Sequence, residues 1–243
     1  TGVIKYNKNG EAEWATQVPG ITSIEPISDN EYITVINGEL SKLEEVEMPI
    51  PMVVQAEGIG ADKGEKITSV ATTSDGGYVA GGYFCSSSIT LKDGFALNNN
   101  GSENGMLIKY NEFGGVEWAN VVGGTGYDYI KSVIATEDGG CLIGGNYGSE
   151  KINLGNNIFL RTEHTGGFII KYNCKGKVEW AKEISSGLLD NFSSVIECND
   201  GSYIVGCELS GSVDLGDGVK LDDTSGLSNR LAIIKYNKSG KCE

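Results

Sequence analysis

The tetrapeptide Ile-Lys-Tyr-Asn occurs four times in the chain, and this recurrence constrains the fold more than any other feature of the sequence. Its copies begin at Ile4, Ile108, Ile170 and Ile234, and the last three begin 62 and 64 residues apart. A Glu-Trp pair follows the first three copies at one fixed offset, as Glu13-Trp14, Glu117-Trp118 and Glu179-Trp180. A period of about sixty residues indicates a repeat protein in which each repeat is one small structural unit.

A second recurring block marks the start of each unit. It reads ITSV at Ile67, IKSV at Ile130 and FSSV at Phe192, and each copy leads through an Asp-Gly turn into an apolar run. The unit that begins at Ile130 has four strand-sized runs, named A to D, over residues 130–136, 141–147, 168–173 and 178–184. Gly, Asn and Asp separate the runs, and no helical period is present. The sequence therefore predicts an all-β fold, a β-propeller of four-stranded antiparallel blades.

The repeats span the whole chain as a single domain over residues 1–243. Units are predicted over residues 67–129, 130–191 and 192–243, with a degenerate unit over 21–66 and a partial unit over 1–20. Four repeat lengths plus an extra hairpin allow a four-bladed ring, a five-bladed ring with shared terminal strands, or a fragment of a larger propeller. We favour the five-bladed ring or the fragment.

Two turns in each unit predict how the strands pair. Asp-Gly lies between strands A and B, and three-residue loops that end in Gly lie between strands C and D. Such a C–D loop is typical of a type I turn closed by a bulge. This register places Lys opposite Glu in every copy, as Lys5 with Glu13, Lys109 with Glu117, Lys171 with Glu179 and Lys235 with Glu243. The Tyr and Trp residues of strands C and D are predicted to pack between neighbouring blades.

The repeated residues resemble those of known propellers. Glycine pairs close strand B at Gly81-Gly82 and Gly144-Gly145, and a Tyr in strand C is followed by a Trp in strand D, a pattern similar to the kelch signature. The longer segments GFIIKYNCKGKVEWAKEI, FSSVIECNDGSYIVG and GSVDLGDG resemble the bacterial β-propeller repeat family of the SBBP type. This resemblance covers the chain outside residues 39–60. It implies a secreted or cell-surface bacterial protein, often one module of a longer chain.

The charge of the chain limits its partners. With 19 Lys and Arg against 33 Asp and Glu, the net charge is −14. The electrostatic contribution to binding of nucleic acid or of an anionic membrane would be repulsive. No apolar run approaches the roughly 18 residues that a membrane span requires. We therefore expect a protein or carbohydrate partner, no nucleic acid and no membrane span.

Carboxylates recur in the loops that lead from strand D to the next strand A. Asp128 and Asp190 stand two residues before strand A, and Glu65 takes the same place after the shortened unit. Equivalent loops of a propeller emerge on one face, so Tyr127, Asp128, Asp190 and Glu65 are the predicted partner face. Ca²⁺ prefers several oxygen ligands, which makes Asp128 and Asp190 candidate calcium ligands. The alternative is that each acid accepts backbone N–H groups within its own loop.

The loops between strands B and C are long in all three full units, over residues 86–105, 148–167 and 208–229. Loops of this length carry function or form a hairpin of their own. We expect a non-catalytic recognition or scaffold module that presents loops from rigid blades. We expect no cofactor, and calcium is the one candidate. The alternatives are a glycan-active hydrolase or lyase using Tyr127, Asp128 and Asp190, and a purely structural spacer.

Overall fold

The computed structural model describes the backbone of residues 2–6, 12–17, 21–28, 31–36, 39–44 and 52–57. It describes backbone and side chains over residues 58–61, 63–161, 165–184, 191–222 and 230–243. Within these ranges the chain forms β-strands and no helix, and none of these residues belongs to a helix that could cross a bilayer. The predicted all-β class is confirmed.

The N-terminal part forms two separate antiparallel sheets. Strands β1 and β2 pair as a hairpin, and β3 to β6 form a four-stranded sheet in chain order. Their bounds are β1 Gly2–Tyr6, β2 Ala12–Gln17, β3 Ile21–Ser28, β4 Glu31–Ile36, β5 Glu39–Glu44 and β6 Met52–Glu57. The unit that the sequence marks as degenerate therefore forms a sheet of four strands in chain order, as the four long strands of each of the next two units do. Residues 39–60, outside the family resemblance, contribute two of them.

Each of the next two units has the same six strands. The first contains β7 Glu65–Thr72, β8 Tyr78–Phe84, β9 Ser88–Thr90, β10 Ala96–Asn98, β11 Asn104–Tyr110 and β12 Val116–Val122. The second contains β13 Asp128–Ala135, β14 Cys141–Tyr147, β15 Lys151–Asn153, β16 Phe159–Arg161, β17 Gly166–Tyr172 and β18 Val178–Ile184. The four long strands form an antiparallel sheet in chain order, and the two short strands form a hairpin.

The last unit forms a sheet of three strands. It contains β19 Asn191–Glu197, β20 Tyr203–Leu209, β21 Val213–Gly216, β22 Val219–Leu221 and β23 Arg230–Tyr236. Strands β19, β20 and β23 pair in chain order, and Cys242 pairs with Tyr236 at the position where the fourth strand starts in the other units. In all three units the long B–C loop forms a small hairpin of its own.

The C–D hairpins correct the predicted register by one residue. Tyr172 faces Val178 as predicted, but a bulge follows, so Lys171 faces Trp180 rather than Glu179. The same shift places Lys109 opposite Trp118. The extra residue in the bulge is the glutamate. Its carboxylate still reaches the lysine, with Lys171 Nζ 3.2 Å from Glu179 Oε2. The predicted ion pairs also form at Lys109–Glu117 and Lys235–Glu243, while the side chains of Lys5 and Glu13 lie outside the described residues.

The three sheets that follow β6 pack face to face and bury one apolar core at each of their two junctions. Strand β13 contacts β7 and β8 of the preceding sheet, and β19 contacts β13 and β14. The strand-D tryptophans cross these junctions. Trp118 Nε1 donates to the carbonyl of Cys174 over 3.1 Å, and Trp180 Nε1 donates to the carbonyl of Lys238 over the same distance. The prediction that these aromatic residues pack between blades is confirmed.

Candidate functional site

The candidate residues lie at the end of the sheets where strands A begin, strands B end and strands C begin. Glu65 pairs with Phe84, and Asp128 pairs with Tyr147, so the two acids occupy equivalent places in β7 and β13. Asp190 precedes β19 and lies outside the described residues. The A–B and C–D turns lie at the opposite end of the three sheets that follow β6.

The Asp128 carboxylate is fully buried and holds several loop segments together. It accepts hydrogen bonds from the backbone N–H groups of Gly124 at 2.9 Å and of Gly148 and Ser149 at 3.2 Å. The Ser149 hydroxyl donates over 2.6 Å, and Asn104 Nδ2 donates over 3.3 Å. Both carboxylate oxygens are therefore engaged. Asp128 joins the D–A loop to the B–C loop of its own unit and to the start of strand β11 in the preceding unit.

Glu65 makes a similar arrangement one unit earlier. Its carboxylate accepts hydrogen bonds from the backbone N–H and the hydroxyl of Ser86, and from the N–H of Ala61. Ser86 and Ser149 occupy the same place, two residues after the end of strand B, and both are buried. We name the Glu65–Ser86 and Asp128–Ser149 pairs the carboxylate–serine locks. Neither serine was predicted from the sequence, although both stand at the same offset after strand B.

The structure does not gather the described acids into an obvious cation site. Among the described residues, no group of three or more His, Cys, Asp or Glu side chains lies close enough to hold a metal ion. The Asp128 and Glu65 carboxylates each accept hydrogen bonds from nearby backbone and side-chain donors. Asp190 is not among the described residues, so calcium binding by Asp128 and Asp190 stays a prediction.

Tyr127 is exposed, and its backbone is fixed on both sides. The side chain is 57% exposed. Its carbonyl accepts the N–H of Gly148 at 2.8 Å, and the residue forms a parallel bridge with Glu103. The next N–H, that of Asp128, donates to the carbonyl of Glu103 at 2.9 Å. The Tyr127 ring is therefore exposed to solvent, while hydrogen bonds to two neighbouring segments hold its backbone in place.

Two further tyrosines and a carboxylate accompany Tyr127. The rings of Tyr83 and Tyr129 meet edge to face with centroids 4.9 Å apart. Burial, together with a hydrogen bond to Glu103, raises the pKa of Tyr129. Burial and the charge of Glu103 also raise the pKa of Tyr83. Both hydroxyls therefore stay protonated at neutral pH and are able to donate. We name Tyr83, Glu103, Tyr127 and Tyr129 the tyrosine patch; of these four residues the sequence pointed only to Tyr127.

All six cysteines are free thiols. Cys85 lies near the tyrosine patch, and burial raises its thiol pKa, with the charge of Glu103 adding to the effect. Burial raises the pKa of Cys141 to about 12. Neither thiol is a nucleophile at neutral pH, because the thiolate is the reactive form.

Comparisons with known proteins support the fold and leave the activity open. No family model matches the chain, and no curated protein matches it. A solved structure of a protein of unknown function from Bacteroides caccae is 10% identical, with a TM-score of 0.51, and the match covers 99% of this chain and 88% of that one. A WD40 β-propeller domain is 12% identical, with a TM-score of 0.39, over 94% of this chain and 82% of that one.

A third solved structure is the extracellular domain of a protein described as a hybrid two component system from B. thetaiotaomicron. It is 11% identical, with a TM-score of 0.34, and the match covers 98% of this chain and 28% of that chain. At these identities the likeness concerns the fold alone. The strand pairing of the chain itself makes it an all-β protein of repeated antiparallel sheets that pack face to face, as in a β-propeller, and the likeness assigns no ligand to it.

Proposed function

We propose that this chain is a non-catalytic recognition or scaffold module of a bacterial secreted or cell-surface protein, and that it binds a protein or carbohydrate partner through the tyrosine patch. The observation that carries the proposal is the presentation of Tyr127, an exposed aromatic ring on backbone fixed by Glu103 and Gly148. The extracellular placement rests on the resemblance of the repeat to bacterial surface propellers.

An exposed aromatic side chain on fixed backbone is well suited to binding. Tyrosine supplies a large contact area at a low cost in conformational entropy, and a polar end that hydrogen-bonds. Backbone that is already held before the partner arrives loses less freedom on binding. Glu103, beside Tyr129, adds a hydrogen-bond acceptor for hydroxyl or amide groups. These properties fit a neutral sugar or a peptide surface better than a polyanion, which the net charge of −14 would repel.

In this proposal Asp128 is a positioning residue. Its carboxylate is buried and accepts five hydrogen bonds, so its oxygens do not face a ligand at the tyrosine patch. A glycosidase needs an acid and a base or nucleophile that both reach the substrate. The arrangement around Asp128 favours a role in holding Tyr127 over a role in proton transfer.

The experiment compares two exposed aromatic residues that lie in loops at opposite ends of the sheets. The chain and its Tyr127→Ala and Phe113→Ala variants are applied to an array of bacterial surface polysaccharides and peptidoglycan fragments. Phe113 lies in a C–D turn and is 80% exposed, so it serves as the matched control. We expect binding that Tyr127→Ala weakens by about tenfold or more, as for a central aromatic contact, and that Phe113→Ala leaves unchanged.

Two results would contradict the proposal. Equal binding by Tyr127→Ala and the unchanged chain would remove the tyrosine patch from the partner face. Turnover of a bound glycan, measured as release of reducing ends, would make the glycan-active alternative correct.

A further inference from the structure

The last sheet of the chain has an apolar face that nothing described in the structure covers. Leu231 and Ile233 on strand β23 are 87% and 82% exposed, and Ile196 on β19 is 55% exposed. Ile204 on β20 lies between them and is partly exposed. We name these four residues the open face. Contiguous exposed apolar side chains of this size mark a surface built for contact.

The positions of Ile233 and Ile204 are buried in both preceding units. The repeat aligns Ile233 with Ile169 and Leu107, and both of those residues are 0% exposed. It also aligns Ile204 with Leu142, which is 0% exposed. Ile169 and Leu142 share one apolar cluster with Phe192 and other residues of the following sheet. Leu107 shares another with Ile130 and other residues of its own following sheet. In each case, the covering residues come from the sheet that follows in the chain.

A glycine in strand B receives the first apolar side chain of that following sheet. A Cβ added at Gly81 would lie 2.8 Å from Ile130 Cγ2, and one added at Gly144 would overlap the Phe192 ring. Glycine is required at both positions because the neighbouring side chain occupies the space. The equivalent residue of the last sheet is Gly206. A Cβ there would meet only Ser194 Oγ within 4 Å, so the space over Gly206, which we name the seat, is open.

The repeated lysine supports the same conclusion independently. The side chains of Lys109 and Lys171 are each 2% exposed, whereas that of Lys235 is 43% exposed. All three form ion pairs with the Asp of their A–B turn and the Glu of their C–D bulge. The ion pairs are therefore complete in each of these three units. In the other two units the following sheet buries the lysine, and the last unit has no such sheet among the described residues.

We propose that the open face is a docking surface for a further sheet of this same repeat, joined in the order that the two observed junctions share. Its first strand would carry an Ile or Phe that seats on Gly206, as Ile130 seats on Gly81 and Phe192 on Gly144. The occupant that this proposal names is a sheet that continues the repeat. A second copy of the chain and the chain's own N-terminal sheets are the other outcomes of the test.

The first part of the test uses the 243-residue chain. Gly144→Ala is expected to lower the melting temperature by about 3 to 10 °C through overlap with Phe192. Gly206→Ala is expected to shift it by less than about 1 °C because the seat is open. Ile233→Lys should likewise leave the melting temperature unchanged and reduce the binding of an apolar dye such as anilinonaphthalene sulfonate by about half or more.

The second part extends the chain after Glu243 with a copy of residues 180–243, which restores the Glu-Trp pair and supplies a second copy of Phe192. In the added copy, the residues that correspond to Ile196, Ile204, Leu231 and Ile233 are replaced by Lys or Thr, so that the added sheet has no open face of its own. Docking of the added sheet should bury the open face and remove most of the dye binding. Gly206→Ala should then lower the melting temperature by about 3 to 10 °C, as Gly144→Ala does. The proposal would be overturned if the extended chain folds and still binds the dye. It would also be overturned if Gly206→Ala leaves the melting temperature of the extended chain unchanged.

The unextended chain keeps the proposal falsifiable even if the extended one fails to fold. Light scattering that shows a dimer of the 243-residue chain, lost in Ile233→Lys, would identify a second copy as the occupant. A melting temperature lowered by several degrees in Ile233→Lys while the chain is monomeric would show that the chain's own N-terminal sheets cover the face. Either result overturns the proposal.

Discussion

Lys171 Nζ lies 2.7 Å from Asp138 Oδ2 although the lysine side chain is only 2% exposed. The same ammonium group donates to the carbonyl of Tyr172 at 3.0 Å and contacts Glu179 Oε2 at 3.2 Å. A buried lysine thus joins the A–B turn to the C–D bulge of one sheet. Lys109 does the same with Asp75 and Glu117 in the preceding sheet.

The first prediction concerns the loss of this lysine. Lys171→Met leaves the carbonyl of Tyr172 without its charged donor and removes both ion pairs, so the free energy of unfolding should fall by about 1–3 kcal/mol. Lys235→Met makes the same change where the lysine side chain is 43% exposed. There the loss should stay below about 1 kcal/mol.

Urea denaturation followed by tryptophan fluorescence measures both variants. Equal losses for Lys171→Met and Lys235→Met would contradict the account, since burial by the following sheet is the main difference between the two sites.

The second prediction concerns acid. Burial alone would raise the pKa of Asp138, but hydrogen bonds from Lys171, Thr136 and the Gly140 backbone lower it below the ordinary value of 3.8. The pKa of Asp75 is also lowered, against burial, by equivalent hydrogen bonds. A carboxyl group whose folded pKa is depressed stabilises the fold above its unfolded pKa and loses that contribution as pH falls. Stability from these groups should hold from pH 7 to 5 and decline below about pH 4.

The measurement compares the chain with the double variant Asp75→Asn, Asp138→Asn, which lacks both titrating groups. Its free energy of unfolding should be lower at pH 7 and should fall less between pH 5 and pH 3. Parallel curves for the two proteins over that range would contradict the assigned role of these carboxylates.

Much of the fold could be predicted from the sequence because the repeat reports each strand several times. Strands β14 and β18 have the predicted bounds, and β13 and β17 each begin two residues earlier than predicted. The register of the C–D hairpins was wrong by one residue. An ion pair between the lysine and the glutamate is compatible with direct pairing and with a bulge. Only the packing of Trp180 against the next sheet distinguishes the two registers.

The site was predictable in position and less so in chemistry. Offset from strand A identified Asp128 and Glu65, but the burial of Asp128 depends on Asn104 and Ser149, which are 24 and 21 residues away in the chain. The edge-to-face contact of Tyr83 with Tyr129 joins two different units. Contacts between units leave no recurring sequence pattern within a single repeat. The tyrosine patch could therefore be identified only from the structure.

The third prediction concerns the positioning role of Asp128. Asp128→Asn replaces one acceptor oxygen by a donor, so some of the five donors around it lose their partner and stability should fall by about 2–4 kcal/mol. Ser149→Ala removes one donor only and should cost about 1 kcal/mol. Amide hydrogen exchange should speed up at residues 124–128 in Asp128→Asn. Unchanged exchange there would mean that this carboxylate does not hold the loop.

The fourth prediction concerns calcium. If Asp128 and Asp190 are ligands, 1–5 mM CaCl₂, an order-of-magnitude range for weak extracellular sites, should raise the melting temperature relative to chelator. Asp190→Asn should abolish the shift in melting temperature. Asp214→Asn is the control and should leave the shift intact, because Asp214 lies on strand β21 and pairs with Lys220. An identical melting temperature in calcium and in chelator would contradict the calcium site.

The most direct test of the central claim, that the tyrosine patch is the partner face, is amide hydrogen exchange of the chain with and without a ligand found on the array. The account predicts slower exchange at residues 83–86, 103–104 and 123–129, with no change in the C–D turns at residues 111–115 and 173–177. Protection confined to those turns, or to any region that leaves residues 123–129 unaffected, would contradict it.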